Sequence, residues 1–501
     1  MTLGELVARA SALVPAAPAA PWDALADRQV TSIEYDSRRV TPGAVFVAVR
    51  GARTDGAAFA HQASAKGAIA TVADGPPPAG WAEPWFVVDS ARSALAAWSA
   101  VLYRHPSEGL LVIGVTGTNG KTTTVHLLRA ILEESGRRSG LIGTTGYVVG
   151  GVERAAARTT PEAPDVQRML REMIDDGCAA CAMEVSSHAL SLHRVEHLRF
   201  SAAVFTNLTR DHLDFHESME AYFAAKRRLF ELLPPGAPAL VNADDPYGVR
   251  LAADFGHAVT YGLEHAADVI YSSLSITMHG LDAEVATRRG GLQLRSRLTG
   301  RPNAYNVLAA VAAAVALDLP GDAIQRGIAA VTNVPGRFQT VSGPADDITV
   351  VVDYAHTDDA LRNLLETARP LARGRVIVVF GCGGDRDRTK RPLMGAVAAR
   401  LSDLAVLTSD NPRSEDPAAI IEDIKKGMQA AACTAIADRR EAIWYAIAAA
   451  RPGDMVLVAG KGHERYQETG GRMLPFDDVD VSRAALAERR SRVTPEVEET
   501  R

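Results

Sequence analysis

Cysteine is scarce in this chain, with four among 501 residues, at Cys178, Cys181, Cys382 and Cys433. So few thiols exclude a disulfide-stapled scaffold and fit a reducing compartment. Cys178 and Cys181 form a C-x-x-C in "GCAACAMEV". No second pair or His-x-His partner completes a zinc set, and the segment runs into a predicted strand, so both are read as buried structural thiols. Positive charge is not in excess either. The formal net charge is −6, whereas general nucleic-acid binding needs a basic surface to displace counterions from phosphates. Long apolar runs are missing: the longest, Val307 to Leu317, falls far short of the ~20 residues that a membrane span requires. The opening "MTLGELVARASALVPAAPAAPW" carries Glu5 and has no basic segment leading into an apolar block. No secretory signal is read there, and a cytoplasmic location is expected. No internal repeat is evident, and low complexity is confined to Val14 to Trp22.

What is present is ample apolar material, 47% of the residues, in a chain long enough for about three domains of ~150 residues. From residue 110 onward, short apolar runs alternate with helical stretches, and this alternation predicts an α/β fold with parallel sheets. Ligands of such sheets collect at the carboxyl ends of the strands. Two series of strand-end loops result. After "LLVIGV", "CAMEV", "SAAVF" and "PALV" come "TGTNGKTTT", "SSHAL", "TNLTRDHLDFH" and "NADDP". After "ITVVV", "RVIVVF", "LAVL" and "DMVLV" come "DYAHTDDAL", "GCGGDRDRTKRP", "TSDNPRSEDP" and "AGKGHERYQ". Between the series lie the Ala-rich helix pattern "NAYNVLAAVAAAVAL" and the turn "NVPGRF", which suggests a hinge near Gly336. The boundaries are placed at 1–108, 109–336 and 337–501. The last residues, "SRVTPEVEETR", are charged and expected to fray.

The strongest motif is "VTGTNGKTTT". It follows a strand and opens the helix "VHLLRAILEES". Backbone N–H groups from Gly117, Thr118, Asn119, Gly120, Thr122 and Thr123 suit phosphate oxygens, and the helix N-terminus adds positive potential. Lys121 can reach the β and γ phosphates, and Thr122 is placed to ligate Mg²⁺. Val115 stands where the commonest P-loop spacing has glycine, but the strand-loop-helix context is retained. Glu184 in "MEVSSH" and His212 in "TRDHLDFH" are candidate metal ligands at strand ends. By its residue pattern alone, Lys226 in "EAYFAAKRRLF" reads as a helix-surface lysine.

"TSDNPRSEDP", residues 408 to 417, admits two readings. Asp and Asn favour turns, Pro412 fixes φ, and Ser414, Asp416 and Pro417 can start the helix "AAIIEDIKKGM" without any ligand. Alternatively, Arg413 is there to hold something.

The order "VTGTNGKTTT", "EVSSHAL", "FTNLTRDHLDFH", "AAKRRLF", "RPNAYN", "PGRF" and "DYAHT" resembles the Mur ligase family, from about Ile33 to Asp478. The resemblance implies three domains: one for the UDP part of the substrate, a central P-loop ATPase domain, and a C-terminal nucleotide-binding-like α/β domain that closes over the site. It implies a cytoplasmic, monomeric enzyme of cell wall synthesis that uses ATP and Mg²⁺ to add meso-diaminopimelate to the D-glutamyl carboxylate of UDP-MurNAc-L-Ala-D-Glu, through an acyl phosphate. Ser37 in "DSR", near the loop "ARTD" (residues 52 to 55), would contact the uridine nucleotide. Thr159, Thr160, Ser186 and Arg194 would hold the rest of the UDP-sugar peptide, with Leu192 left out because some relatives carry a polar residue there. Asn303, Arg337, Asp353 and His356 are expected at the nucleotide. Lys226 matches the family lysine that is carbamylated beside the metals, with Thr122, Glu184 and His212. Arg386, Asp410, Asn411, Pro412, Arg413, Gly460 and Glu464 are expected around diaminopimelate, because D-N-P-R goes with that amino acid and relatives that add L-lysine lack the arginine. Pro302 replaces a usual aromatic residue and Asp358 a usual proline. L-Lysine as the added amino acid, a folylpolyglutamate synthetase-like ligase and a P-loop switch protein are the competing readings. The "DSR" domain argues against the second and the second loop series against the third.

Overall fold

The computed structural model describes the chain except residues 21, 52–53, 429–432 and 494–501. Residues 52 and 53 of the "ARTD" loop and the end of the charged tail therefore lie outside the described residues. Three sheets with their helices, plus one separate hairpin, make up the architecture.

The first sheet has Ile33–Glu34, Val45–Ala48, Ala70–Ala73 and Trp85–Val88 in parallel order, with Ala16–Pro18 added antiparallel at the edge. Helices Leu3–Ser11 and Ala91–Leu102 bury their apolar residues against it. The first helix starts at Thr2, whose side chain accepts from Glu5 N while Glu5 accepts from Thr2 N. The early acid that spoke against a signal sequence is thus half of a capping box.

The central sheet has 11 strands. Its middle is parallel, with Ala239–Asn242, Ala202–Phe205, Leu111–Thr116 and Ala180–Glu184 as neighbours. These are the four predicted strands of the first loop series. Alternate side chains of one strand enter opposite cores, as period-2 geometry requires: Ile113 and Val115 face the phosphate helix Lys121–Glu134 and the Ala-rich helix Arg301–Ala316, while Val112 joins the cluster holding helices Ala163–Asp175 and Met219–Glu231. Because both faces are covered, the strands read as continuous apolar runs. The Ala-rich helix is buried almost all round from Asn303 to Ala314, where small side chains let the sheet approach. Pro302 lies in its first turn, where a missing N–H costs nothing. The sheet also continues as the antiparallel strands Val269–Thr277, Gly280–Thr287 and Gly290–Ser296, which the sequence reading did not identify.

In the third sheet Thr349–Asp353, Met455–Ala459, Val376–Phe380 and Leu404–Leu407 are parallel neighbours, matching the second series. Helix Pro417–Met428 follows the last of these loops, and Asp416 accepts from Ala418 N at its start. Gly336, expected as a hinge, holds φ +66 and packs so closely that a Cβ would meet His463 N at 2.3 Å. Tyr354 N also donates to its carbonyl. The position requires glycine for close approach and is not slack. Cys178 and Cys181 are buried and free, as read from the sequence.

The segment after Glu464 forms an unforeseen hairpin, Tyr466–Thr469 with Arg472–Pro475, turned by Gly470 and Gly471 at φ +56 and +73. Positive φ at both central residues is what a tight two-residue turn demands. At the starts of helices Arg439–Ala449 and Asp478–Val493, Arg439 and Asp478 form a fully buried ion pair, at 2.8 and 2.7 Å. Arg439 also donates to the carbonyls of Ser409 and Ala459, at the ends of two strands. Removing one partner of a buried pair leaves a charge without compensation, so Asp478→Asn is expected to lower unfolding stability by about 3 kcal/mol. Chemical denaturation of the two proteins checks this, and a difference below about 1 kcal/mol would show that the pair is dispensable.

Candidate active site

The phosphate loop is fastened to the neighbouring strand end. Thr118 N donates to Asn207 O and Asn119 N to Asn207 Oδ1, while Thr206 Oγ1 donates to Asn119 O at 2.6 Å. Gly117 and Gly120 have φ +150 and +88, and Cβ atoms there would meet Thr206 Oγ1 at 1.8 Å and Asn306 Oδ1 at 2.4 Å. The loop's shape therefore depends on glycine at both positions.

Two lysines converge on this loop. Lys121 Nζ donates to the carbonyls of Gly117 and Thr118, each at 2.8 Å. Lys226 Nζ donates to the same Gly117 carbonyl at 2.7 Å. Lys226 is 1% exposed, with its ammonium 4.5 Å from the Tyr222 ring. The pattern-based reading of a helix-surface lysine is therefore wrong: the helix turns this side chain under the loop. Desolvation, together with the charge of Lys121, pushes the Lys226 pKa well below its ordinary value.

Glu184 is buried and accepts from Thr144 N at 2.7 Å and Thr144 Oγ1 at 3.0 Å. Thr122 Oγ1 accepts from Arg337 at 3.1 Å. The His212 ring lies edge-on to His188, with centroids 4.8 Å apart, and its residue holds φ +53. Removal from water, with Lys121 and Lys226 nearby, keeps its pKa below the usual value despite the pull of Asp211. Among the described residues there is no group of three or more His, Cys, Asp or Glu able to hold a metal alone.

Two cavities meet here. One, of about 260 Å³, is lined by Thr118 to Thr123, Glu184, Asn303, Arg337, Asp353 and others. The second, of about 600 Å³, is lined by Thr160, Arg194, Arg386, Asp410, Asn411, Arg413, Gly460 and Glu464. Thr159, Ser186, Asp211, His212, Tyr354 and His356 line both. A third cavity, of about 620 Å³, extends the phosphate side past Asn242, Asp244, Tyr305 and Asp359. Of the residues expected at the site, Ser37, Gly117, Lys226 and Pro412 do not line the first two cavities. Gly117 and Lys226 lie just beneath the loop. Ser37 stands in the first sheet's unit, donating to Gln62 Oε1 at 2.7 Å. Pro412 is buried, and its carbonyl lies where a Cβ on Gly384 would be.

The sugar-peptide candidates form one network. Thr160 Oγ1 donates to Glu184 O, Ser186 N donates to Thr160 Oγ1, and Arg194 donates to Thr160 O at 3.1 Å and pairs with Glu162 at 3.0 Å. On the nucleotide side, the Asp353 carboxylate accepts from Phe338 N and Ala355 N, and burial raises its pKa. The Arg337 guanidinium lies 4.6 Å from the Tyr354 ring. Asp358 begins helix Asp358–Ala368, where an acid suits the helix dipole, and stands 3.8 Å from Arg210.

Behind the lining of the second cavity, sequence reading missed Lys461. Its ammonium is fully buried and donates to Asn411 Oδ1 at 2.9 Å and Glu464 Oε2 at 3.2 Å, with Asp410 at 3.7 Å. Asn411 Nδ2 donates in turn to Glu464 Oε2 at 2.9 Å. Asp211 was missed as well. Both lie inside quoted motifs, "GKGHE" and "TRDHLDFH", so their place at strand ends was the available signal.

The sequence matches three family descriptions: the Mur ligase family, catalytic domain, over residues 29–102; the Mur ligase middle domain over 115–314; and the Mur ligase, glutamate ligase domain over 336–462. A UDP-N-acetylmuramoyl-L-alanyl-D-glutamate--2,6-diaminopimelate ligase of Gloeobacter violaceus is 47% identical over 470 residues, covering 93% of this chain and 96% of that protein. The protein of the same name from Geobacter metallireducens is 46% identical over 484 residues, covering 92% and 94%. A solved structure of a ligase so named superposes with a TM-score of 0.66, at 33% identity over 98% of this chain and 99% of that one.

The contacts of Gly117 imply that Gly117→Ala displaces the loop by the width of a methyl group. An ångström-scale displacement of that kind is expected to cut nucleotide-dependent turnover roughly 100-fold, measured on protein shown by circular dichroism to be folded. Turnover within about tenfold of the unsubstituted protein would mean that the loop accommodates a side chain.

Proposed function

The chain belongs to the Mur ligase family, and we propose that its cleft performs the ligation named for its relatives, with the residues gathered there in the roles given below. The protein is an ATP-dependent amide-bond-forming ligase of peptidoglycan precursor synthesis, joining meso-diaminopimelate to the D-glutamyl carboxylate of UDP-MurNAc-L-Ala-D-Glu. The observation that carries the assignment is the continuity of the two cavities: a phosphate loop on one side and a cavity with Arg413, Arg386 and paired acids on the other share six lining residues. The reaction needs that juxtaposition, because the group activated by phosphate must be met by an amine.

A carboxylate does not react with an amine, so it must first gain a leaving group. The D-glutamyl carboxylate oxygen attacks the γ-phosphorus of ATP, the bond to the ADP oxygen breaks, and an acyl phosphate forms. The amine of the amino acid then attacks the acyl carbon, inorganic phosphate leaves, and the amine proton passes to solvent. The protein contributes positioning and charge. Backbone N–H groups of Gly117 to Thr123 hold the phosphates, and Lys121 leaves its carbonyl partners to neutralise the charge that develops. Asn303, Arg337, Asp353 and His356 hold the nucleotide. Ser37 in the first domain, with Thr159, Thr160, Ser186 and Arg194, holds the UDP-sugar peptide. Domains at 1–108, 109–336 and 337–501 supply these three sets, so one copy of the chain carries every residue named. Its substrates are small molecules, and among the described residues no helix is long and apolar enough to cross a membrane. The site of action is the cytoplasm, where ATP is supplied.

Magnesium fits the residues present. Thr122, Glu184, His212 and a carbamylated Lys226 would offer it a hydroxyl, an imidazole and carboxylate oxygens, a set suited to an ion that needs few protein ligands. The ion supplies neutralisation of phosphate charge when bound. Lys226 is prepared for its modification, since bonding of Nζ to the carbon of CO₂ with release of a proton requires the neutral amine that burial favours. Lys226→Ala is therefore expected to leave less than about 1% of turnover, a loss near 3 kcal/mol in barrier terms, and short carboxylates such as acetate should restore part of it in a steady-state assay. Full activity without any addition would remove Lys226 from the machinery.

Diaminopimelate differs from lysine by a second carboxylate. Arg413 offers a planar fork that grips a carboxylate through two parallel hydrogen bonds, with Arg386 beside it, while Asp410, Asn411, Gly460 and Glu464 surround the ammonium next to it. A site built for a buried charge rejects an analogue lacking it by ~10⁴-fold. That preference for meso-diaminopimelate over L-lysine in kcat/KM tests the reading, and Arg413→Ala should lose most of it. Comparable values for the two amino acids in the unsubstituted enzyme would return Arg413 to a plain turn.

A further inference from the structure

The hairpin Tyr466–Thr469 with Arg472–Pro475 belongs to none of the three large sheets, yet it runs along the segment from Ser409 to Arg413. Gln467 Nε2 donates to Asp410 O at 2.7 Å, and Glu468 N donates to Asn411 Oδ1 at 2.9 Å. Arg413 N donates to Glu468 O at 3.0 Å, and Gly470 N donates to Arg413 O at 2.7 Å. Arg413 holds φ +53, a region that residues with side chains seldom adopt, and these two backbone bonds hold it there. Glu468 touches Arg413 a second time, with Oε2 3.2 Å from Nε.

The fork of Arg413 is divided by these contacts. Nε faces Glu468, and one Nη1 hydrogen goes to Gly384 O at 2.7 Å. Nη2 and the second Nη1 hydrogen have no partner among the described residues, and they form the end-on pair that a carboxylate grips in parallel. Glu468 thus fixes the edge of the guanidinium and leaves its end open. Its carboxylate is about a third exposed, so its competition for the arginine's charge is screened by water. Orientation outweighs competition.

We propose that Glu468 is a positioning residue for amino-acid selection: it holds Arg413 by main chain and side chain so that the guanidinium end meets the second carboxylate of the incoming amino acid. The proposal rests on the assignment of Arg413 to that carboxylate. It makes the hairpin part of the specificity apparatus through Glu468, which does not line the cavity, as well as through Tyr466, which does.

Glu468→Ala keeps the main-chain bonds and removes only the side-chain clamp. In the full-length enzyme, kcat/KM for meso-diaminopimelate should fall about tenfold through KM, as expected for a loosened charge-assisted contact. The slope kcat/KM for L-lysine, and KM for ATP and for the UDP-sugar dipeptide, should stay within twofold, and Glu468→Gln should recover part of the loss. Equal falls for the two amino acids would make the hairpin merely structural and overturn the proposal. So would an unchanged or improved value for meso-diaminopimelate, which would mean that Glu468 is idle or competes. If the unsubstituted enzyme does not discriminate between the amino acids, the assignment of Arg413 fails first, whatever Glu468→Ala does.

Discussion

Two ammonium groups end on a single carbonyl oxygen, that of Gly117. Much of the site follows from this crowding. Burial disfavours the charged form of each lysine, with the charge of Arg337 adding to it at Lys121 and the charge of Lys121 adding to it at Lys226, so both pKa values lie below the ordinary range. Lys121 is received by carbonyl oxygens of its own loop, and in the proposed reaction phosphate oxygens would replace those weak acceptors with anionic ones. Lys226 lies beneath the loop, where burial and the charge of Lys121 favour its neutral form, the form that the proposed reaction with CO₂ requires. The loop can present that carbonyl only because Gly117 lacks a Cβ where Thr206 approaches. One glycine thus links the strand-end sequence, the packing of two neighbouring loops, and the electrostatics of phosphoryl transfer.

The second cavity solves the reverse problem. Asp410 and Glu464 bring negative charge to a buried place, and Lys461 balances it with its ammonium while fixing the orientation of the Asn411 amide. A network of this kind is favourable when every member has a partner and costly when one is missing. Arg413, beside this network, keeps donors without a partner among the described residues. Contacts between the central and C-terminal units are of a weaker kind. Arg210 pairs with Asp387, Asn119 donates to Asp359, and Arg337 donates to Thr122. All three are part-buried, and a single ion pair and two side-chain hydrogen bonds contribute on the order of 1 kcal/mol each, so they set the register of the two units more than they bind them together.

Eight of the parallel strands, the phosphate loop and the buried cysteines were legible in the amino-acid order. Each rests on local rules. A strand covered on both faces must be apolar throughout, and a loop that wraps phosphate must spend its glycines where φ is positive. The antiparallel extension from Val269 to Ser296 escaped notice because its exposed face breaks the apolar run into alternating polar positions. The hairpin after Glu464 is polar and its second strand fully exposed, so only the Gly470-Gly471 pair marked it.

The sequence by itself determined the elements, their order, and the chemistry available at each strand end. Tertiary structure decided which charges are buried and which meet. Lys226 reads as a surface residue within its own helix, and its partner carbonyl is 109 positions away. Lys461 and Asn411 are 50 positions apart, and Glu468 N reaches Asn411 across 57. The reason is physical: helix and turn preferences act over a few residues, whereas the state of a charge depends on everything that removes water from around it, and that is known only once distant segments have packed.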